Sequence, residues 1–211
     1  ASLIPTLRTA VSRSVATPSD LIRLLALRLR LSRTDVPDLL RGPDVATIDA
    51  LTTLGFSYRS IQRFFRPLVG GIQLDPSLNT SARMFDTILK MLFTGRAAVP
   101  RHGMKTISQQ LGSRLPSSSV HLHVPVRSVT ASAVRIDSGE IDASAVVVAT
   151  DGNSAAELLG RPRHTPRSAG CVWFDAPEAP TDRRLIVLDG DRSGPVSNVA
   201  VMSNVSSRYA P

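Results

Sequence analysis

The spacing of apolar residues changes part-way along this chain, and the change constrains the fold more than any other sequence feature. Through the first hundred residues apolar side chains recur every three or four positions, as in Met84, Ile88 and Met91, which is the period of an α-helix. From Val120 onward they fall in short alternating runs, which is the period of a β-strand. We therefore predict an α+β fold, with an N-terminal helical region followed by short, mostly antiparallel strands.

Helices are predicted between strong start and stop signals. Thr17-Pro18 supplies an N-cap and a first-turn proline ahead of the apolar run 21–31. The helix that begins near Ile61 is expected to end at Pro67, because proline lacks a backbone donor and clashes with the preceding turn. The predicted helices cover residues 21–31, 34–40, 48–54, 61–65, 80–94, 104–115 and 154–159.

Strands are predicted in the second half, with a hairpin turn at Asp137-Ser138-Gly139. Residues 145–149 are five apolar residues without alternation, which predicts a strand covered on both faces. The predicted strands cover residues 120–123, 126–130, 134–136, 140–141, 145–149, 170–174, 185–188 and 199–202.

The net charge of +8 is unevenly distributed. Residues 1–135 carry eighteen basic and seven acidic side chains, whereas residues 136–211 carry seven and ten. Arginines spaced singly along helices are typical of a solvated face, but the run 21–31, apolar with three arginines, is also similar to an interfacial helix. One possible function is therefore that of an Arg-rich helical module that binds an anionic membrane surface or partner without catalysis. We keep it as the alternative to the enzymatic function considered below. Nine aromatic residues are too few to favour a nucleic-acid partner.

Cys171 is the single cysteine, so no disulfide can form within the chain. Nothing near Ala1 has the layout of a secretory signal, and no apolar run approaches the about 18 residues of a membrane-spanning helix. We predict a cytoplasmic location. If the protein associates with a membrane, we expect the contact to be peripheral.

No self-contained catalytic motif is present. The sequence has no G-x-G-x-x-G, no P-loop, no G-x-S-x-G and no paired cysteines. His121 and His123 would share one face of a predicted strand, as two metal ligands must, but no third ligand can be identified. The catalytic residues stay unknown, and we predict no metal site.

The most distinctive part of the sequence is a set of motifs in a fixed order. They are F-F-R-P-L-V-G-G-I-Q-L-D-P at 64–76, T-S-A-R-M-F at 80–85, P-R-H-G-M at 100–104, V-R-S-V at 126–129, A-V-V-V-A-T-D-G at 145–152 and Y-A-P at 209–211. This set resembles the FAD-dependent amine oxidase, phytoene desaturase and protoporphyrinogen oxidase superfamily. The resemblance covers most of the chain.

The resemblance implies a central fragment of a two-domain flavoprotein. It implies a helical substrate-side region at 1–95, a middle segment of the FAD-binding domain at 96–160, and the start of the substrate-domain sheet at 161–211. The implied activity is FAD-dependent oxidation of an apolar or amine-bearing small molecule. The Gly-rich fingerprint that holds the FAD pyrophosphate in that family is not in this sequence, so we expect weak or absent FAD binding by these residues alone, and self-association through unpaired strand edges.

The resemblance also implies residue roles. Val126 matches the position whose backbone meets the adenine of FAD, and Ala149 and Thr150 match a strand end close to the cofactor. Gly103 and Met104 match a turn near the substrate.

Two features of the sequence leave alternatives open. Phe64, Phe65 and Met91, with Phe93, either line an apolar substrate cavity or belong to an ordinary core. His102 replaces the first glycine of the family's usual pair. It is either a tolerated loop residue or a polar group facing the flavin, and a positive φ at this position would be costly for histidine.

Overall fold

The computed structural model describes residues 15–191 and 194–209. The helices are α1 (Pro18–Arg33), α2 (Val36–Arg41), α3 (Thr47–Thr53), α4 (Tyr58–Ser60), a π-helix (Ile61–Gly70), α5 (Gly71–Gln73), α6 (Ala82–Thr94), α7 (Lys105–Gly112), α8 (Gly152–Leu158) and α9 (Met202–Val205). The strands are β1 (Val126–Val129), β2 (Ala133–Ile136), β3 (Gly139–Asp142), β4 (Ile186–Leu188) and β5 (Asn198–Ala200). Single 3-10 turns lie at Ser117–Ser119 and Ser207–Tyr209. The predicted α+β class, helices first and short antiparallel strands after, is confirmed.

The chain divides into two compact units. Among the described residues, one unit contains residues 15–104, 169–191 and 194–209, and the other contains residues 105–168. The three-part division at 95 and 160 follows the domain plan that the resemblance implies, and it stays a prediction.

Helix α1 begins where the sequence predicts, at a complete capping box. The Thr17 side chain accepts a hydrogen bond from the backbone N–H of Asp20, and the Asp20 carboxylate accepts one from the backbone N–H of Thr17 at 2.8 Å. Pro18 fits the first turn because its missing N–H would have no partner there. These local bonds fix the start of the helix before any tertiary contact is needed.

An aromatic cluster lies at the centre of the first unit. Phe65 is fully buried, and its ring makes edge contacts with the rings of Phe56, Phe64 and Phe85 at centroid distances of 4.8, 5.1 and 5.9 Å. Such edge-to-face pairs contribute about 0.5–1.5 kcal/mol each beyond the area they bury. Helices α1, α3 and α6 close the core around the cluster with buried leucines: Leu27, Leu31, Leu51 and Leu89.

The prediction that the helix from Ile61 ends at Pro67 is wrong. The chain remains helical through Pro67 to Gln73, but residues 61–70 are wound as a π-helix. In an α-helix the proline ring would clash with the carbonyl of Arg63, four residues earlier, and the wider π turn relieves that clash. Gly190 packs against the same carbonyl, since a Cβ at Gly190 would lie 3.0 Å from the Arg63 oxygen.

In the second unit, β1, β2 and β3 form an antiparallel meander in that order. Ile136 pairs with Gly139, which confirms the predicted hairpin at residues 137–139. The register shifts between Val126 and Ser128, so Arg127 is an extra residue in β1 and forms a bulge.

Three predicted strands are wrong. Residues 120–123, 145–149 and 170–174 are not in strands, and Val147, expected to be covered on both faces, is 86% exposed. A strand needs a neighbour for its backbone groups, and within the described residues no strand pairs with any of these segments. The remaining strand predictions are confirmed as β1 to β5, with ends shifted by one or two residues.

Candidate functional site

Val126 is the first residue of β1, which is an outer strand of the meander. Only β2 pairs with β1 within the described residues, so the other edge of β1 carries backbone N–H and C=O groups that no strand uses. The Val126 side chain is 41% exposed. An extended segment at a free sheet edge can offer both a donor and an acceptor to a planar heterocycle without a special side chain.

The bulge beside Val126 is held by an ion pair. Arg127 Nε and Nη2 donate to the two carboxylate oxygens of Asp137 at 2.6 and 2.9 Å. The hydrogen bonds from Arg127 hold the pKa of the Asp137 carboxyl below its usual value. Both side chains are exposed, so this pair contributes little to stability. Its effect is local, because it connects β1 to the β2–β3 turn.

Ala149 and Thr150 lie directly before α8. Both are exposed, and the Thr150 hydroxyl donates to the backbone carbonyl of Asp151 at 3.2 Å. Asp151 is the N-cap of α8 and accepts hydrogen bonds from the backbone N–H groups of Asn153 and Ser154. The Ser154 hydroxyl, followed by these backbone groups, lowers the pKa of Asp151. The carboxylate is therefore engaged in capping, and Ala149 and Thr150 remain open on the surface.

The turn at residues 100–104 shows whether the backbone at His102 is strained. Gly103 adopts a φ of +95°, whereas His102 has no positive φ. The glycine that this turn requires is retained, and histidine at position 102 causes no backbone strain. His102 is exposed. Tyr209 closes the turn, since its hydroxyl donates to the carbonyl of Pro100 at 2.8 Å; Ala210 and Pro211, the rest of the Y-A-P motif, lie outside the described residues.

The five candidate cavity residues lie in different environments. Phe64 and Phe65 are buried in the aromatic cluster, whereas Met91 and Met104 are about half exposed, at 48% and 59%. Gly103 is partly buried. Within residues 15–191 and 194–209 no enclosed space is seen that all five line, and their role in a substrate cavity stays a prediction.

Sequence reasoning missed a pair of polar residues in the π-helix and α5. Arg66 Nε and both amide atoms of Gln73 are buried without a hydrogen-bond partner among the described residues. Arg66 is otherwise fixed by a bond from Nη1 to the carbonyl of Pro76 at 2.5 Å. Buried polar atoms normally have partners, so these three atoms have unused hydrogen-bonding capacity. These atoms lack partners because the fold buries them, and no pattern in the sequence predicts which polar atoms become buried.

No metal centre is visible in the described ranges 15–191 and 194–209. They contain no group of three or more His, Cys, Asp or Glu side chains that could hold a metal ion. His121 and His123 lie in an irregular segment rather than on one strand face.

Comparison with known protein families identifies the family of this chain. Residues 8–174 match the family of flavin-containing amine oxidoreductases. The chain belongs to this family. Neither a curated protein nor a solved structure gives a significant match. The resemblance found in the ordered motifs is thereby confirmed at the level of the family, and members of the flavin-containing amine oxidoreductase family use a flavin.

The residues to which the resemblance gives a role in FAD binding have the geometry for a contact made through the backbone. Val126 combines an extended backbone, a free strand edge and a partly exposed side chain, and Ala149 and Thr150 are accessible. None of the three offers a charged group. The N–H groups at the start of α8 are already bonded to the Asp151 carboxylate, so this surface suits the neutral adenine end of a cofactor better than its pyrophosphate, which needs free clustered N–H donors.

Proposed function

We propose that this amine oxidoreductase chain takes part in the FAD-dependent oxidation, desaturation or isomerisation of an apolar or amine-bearing small molecule. Its part is to contact the adenine and to supply some of the substrate cavity. The observation that carries the proposal is the family match over residues 8–174. The free edge of β1 at Val126 supports it, because a backbone-only contact at that position requires such an edge.

On the cofactor side, Val126 would hold the adenine edge through its backbone, and Ala149 and Thr150 would border the cofactor. The small side chain of Ala149 permits close approach. When bound, the flavin supplies the redox chemistry, and the protein supplies orientation and environment. The Arg127–Asp137 pair, at 2.6 Å, keeps the bulge next to Val126 in place.

On the substrate side, the apolar residues of the helical region would form part of a cavity wall. Of the two phenylalanines, Phe64 is the one that could contact a substrate, since it is 8% exposed whereas Phe65 has no exposed surface. Phe65 supports it through the ring contact at 5.1 Å. Met91 and Met104 present flexible thioether side chains at the surface, which suits an irregular apolar ligand. Gln73 and Arg66 would supply polar contacts from the same segment.

Flavin binding tests the proposal. The full-length protein that contains these residues is expected to purify with stoichiometric FAD, measured by flavin absorbance and by fluorescence after release. The 211-residue chain is expected to bind FAD weakly or not at all in a titration, because it has no Gly-rich pyrophosphate fingerprint. A folded full-length protein without FAD binding would overturn the proposed function. Tight, stoichiometric binding to the 211 residues would overturn the expectation for the chain alone.

A further inference from the structure

Helix α1 carries apolar side chains on two opposite faces. Leu27 and Leu31 face the core, with 3% and 0% of their surface exposed. The other face carries Ile22, Leu25 and Leu29, at spacings of three and four residues, with exposures of 70%, 59% and 49%. We call these three side chains the α1 ridge. One helical turn spans 3.6 residues, so the three lie in a line along the helix, on the side away from the core.

The exposed charges that helix α1 itself carries are of one sign. Helix α1 contains four arginines: Arg23, Arg28, Arg30 and Arg33. Its only acidic residue, Asp20, is 1% exposed and bonded on the core side. Arg30 pairs with Asp86 at 3.0 Å, and Arg28 lies over the ring of Phe93 at 6.0 Å. Arg33 follows Leu29 by one turn and extends the line of the ridge with an exposed positive charge.

We propose that the α1 ridge docks this helix, lying flat, on an anionic membrane surface. An exposed apolar line flanked by arginines is the arrangement that buries side chains at the headgroup boundary and pairs cations with anionic lipid. Arginine stems can lie along the apolar surface while the guanidinium reaches the headgroups. None of the helices in residues 15–191 and 194–209 is long and apolar enough to cross a membrane, so the contact is peripheral. The proposal does not depend on flavin binding.

Charge complementarity favours a lipid surface over a second copy of the chain. Helix α1 exposes arginines and no acidic side chain, so two copies meeting through the α1 ridge would bring two positively charged helix surfaces together. Like charges at an interface oppose association. An anionic lipid surface would instead attract each of these arginines.

Vesicle co-sedimentation of the full-length protein tests the docking. Phosphatidylcholine vesicles containing phosphatidylserine are expected to bind the protein, and vesicles of phosphatidylcholine alone are not. The triple variant Ile22→Ser, Leu25→Ser, Leu29→Ser should lower partitioning by about 10-fold or more, since three apolar side chains no longer enter the boundary. The control Ile107→Ser, Leu111→Ser removes two side chains of similar exposure, 46% and 61%, from α7 and should leave partitioning within about twofold of the unchanged protein.

A charge variant gives a second reading that does not depend on the apolar changes. Arg33→Gln should lower binding to the anionic vesicles about fivefold, the equivalent of about 1 kcal/mol for one arginine near the surface. The control Arg114→Gln, at another exposed arginine, should change it little. Circular dichroism establishes that each variant is folded.

Three outcomes would overturn the proposal. The first is no sedimentation of the folded protein with anionic vesicles. The second is an equal loss of binding in the ridge variant and in the α7 control. The third is a concentration-dependent dimer, measured by light scattering, that the ridge variant abolishes, because this would assign the α1 ridge to a second copy.

Discussion

At the scale of single residues, Asp20 does more than its position in a capping box suggests. Its carboxylate accepts hydrogen bonds from the backbone N–H and the hydroxyl of Ser57 at 2.8 and 2.6 Å, in addition to those from Thr17. It therefore ties the start of α1 to the start of α4. Burial on its own disfavours the charged form, but the bonds from Ser57 and then Thr17 outweigh it and lower the pKa from 3.8 to about 2.

We expect Asp20→Asn to lower the free energy of unfolding by about 2 kcal/mol near neutral pH. The amide has a single acceptor oxygen for four donors, and its NH₂ group would face other donors. A carboxyl whose pKa is lowered by folding stabilises the protein above its unfolded pKa, and this stability is lost as the pH falls from about 4 through about 2. Urea unfolding at several pH values measures both effects.

The exposed Asp182→Asn is the matched control and should unfold like the unchanged protein. If Asp20→Asn kept the full acid dependence of the unchanged protein between pH 4 and 2, the bonds to Ser57 would not be the source of the lowered pKa.

At the scale of elements, the last residue of the π-helix, Gly70, lies close to the backbone of the loop at residues 75–76. A Cβ on Gly70 would lie 3.0 Å from the backbone oxygen of Asp75 and 3.2 Å from Pro76 Cα, whereas a Cβ on Gly71 would meet only the side-chain nitrogen of Asn198, at 3.4 Å. The Asp75 N–H donates to the Gly70 carbonyl at 2.8 Å. The two adjacent glycines therefore have different roles, although the sequence presents them as a pair.

Gly70→Ala is expected to destabilise the protein by about 1–3 kcal/mol, because backbone atoms must move to admit the methyl group. Gly71→Ala is expected to be neutral or to stabilise by up to about 1 kcal/mol, since alanine is the better helix former and only a side chain lies near. Thermal unfolding of the two variants side by side measures the difference. Equal effects would mean that the loop at 75–76 does not constrain Gly70.

At the scale of the whole molecule, buried apolar residues are concentrated in the first unit. The helical core contains twelve buried apolar side chains. In residues 105–168 only two buried apolar residues occur, and both are alanines, Ala133 and Ala156. The free energy of local opening is lowest where few apolar contacts must break. The two units should therefore differ strongly in their resistance to opening.

Hydrogen exchange followed by mass spectrometry tests this difference. Amides of α6 around Phe85 and Leu89 should exchange at least about 100-fold more slowly than those of β1–β3, because opening α6 exposes fully buried side chains. Amides of α1 near Leu31 should behave like those of α6. Protection in the β1–β3 meander equal to that in α6 would show that the second unit has a source of stability beyond its own apolar burial.

Much of the fold was determined by the sequence. The capping box at Thr17 and the two-residue turn at Asp137-Ser138 depend on residues within a few positions of one another, so local chemistry is sufficient to predict α1 and the β2–β3 hairpin. The order of the motifs was sufficient to predict the flavin-containing amine oxidoreductase family. The candidate roles of Val126, Ala149 and Thr150 came from the resemblance, and they stay predictions.

Only the tertiary structure decided the features that depend on distant neighbours. The helix continues through Pro67 because a π turn frees the Arg63 carbonyl, against which Gly190 packs. Residues 145–149 have the composition of a covered strand, but a strand forms only beside a partner, and the described residues provide none. The free edge at Val126 and the outward direction of Ile22, Leu25 and Leu29 depend likewise on which surfaces the rest of the chain covers. The sequence sets what each segment can form, and packing decides which of its groups remain available to a ligand.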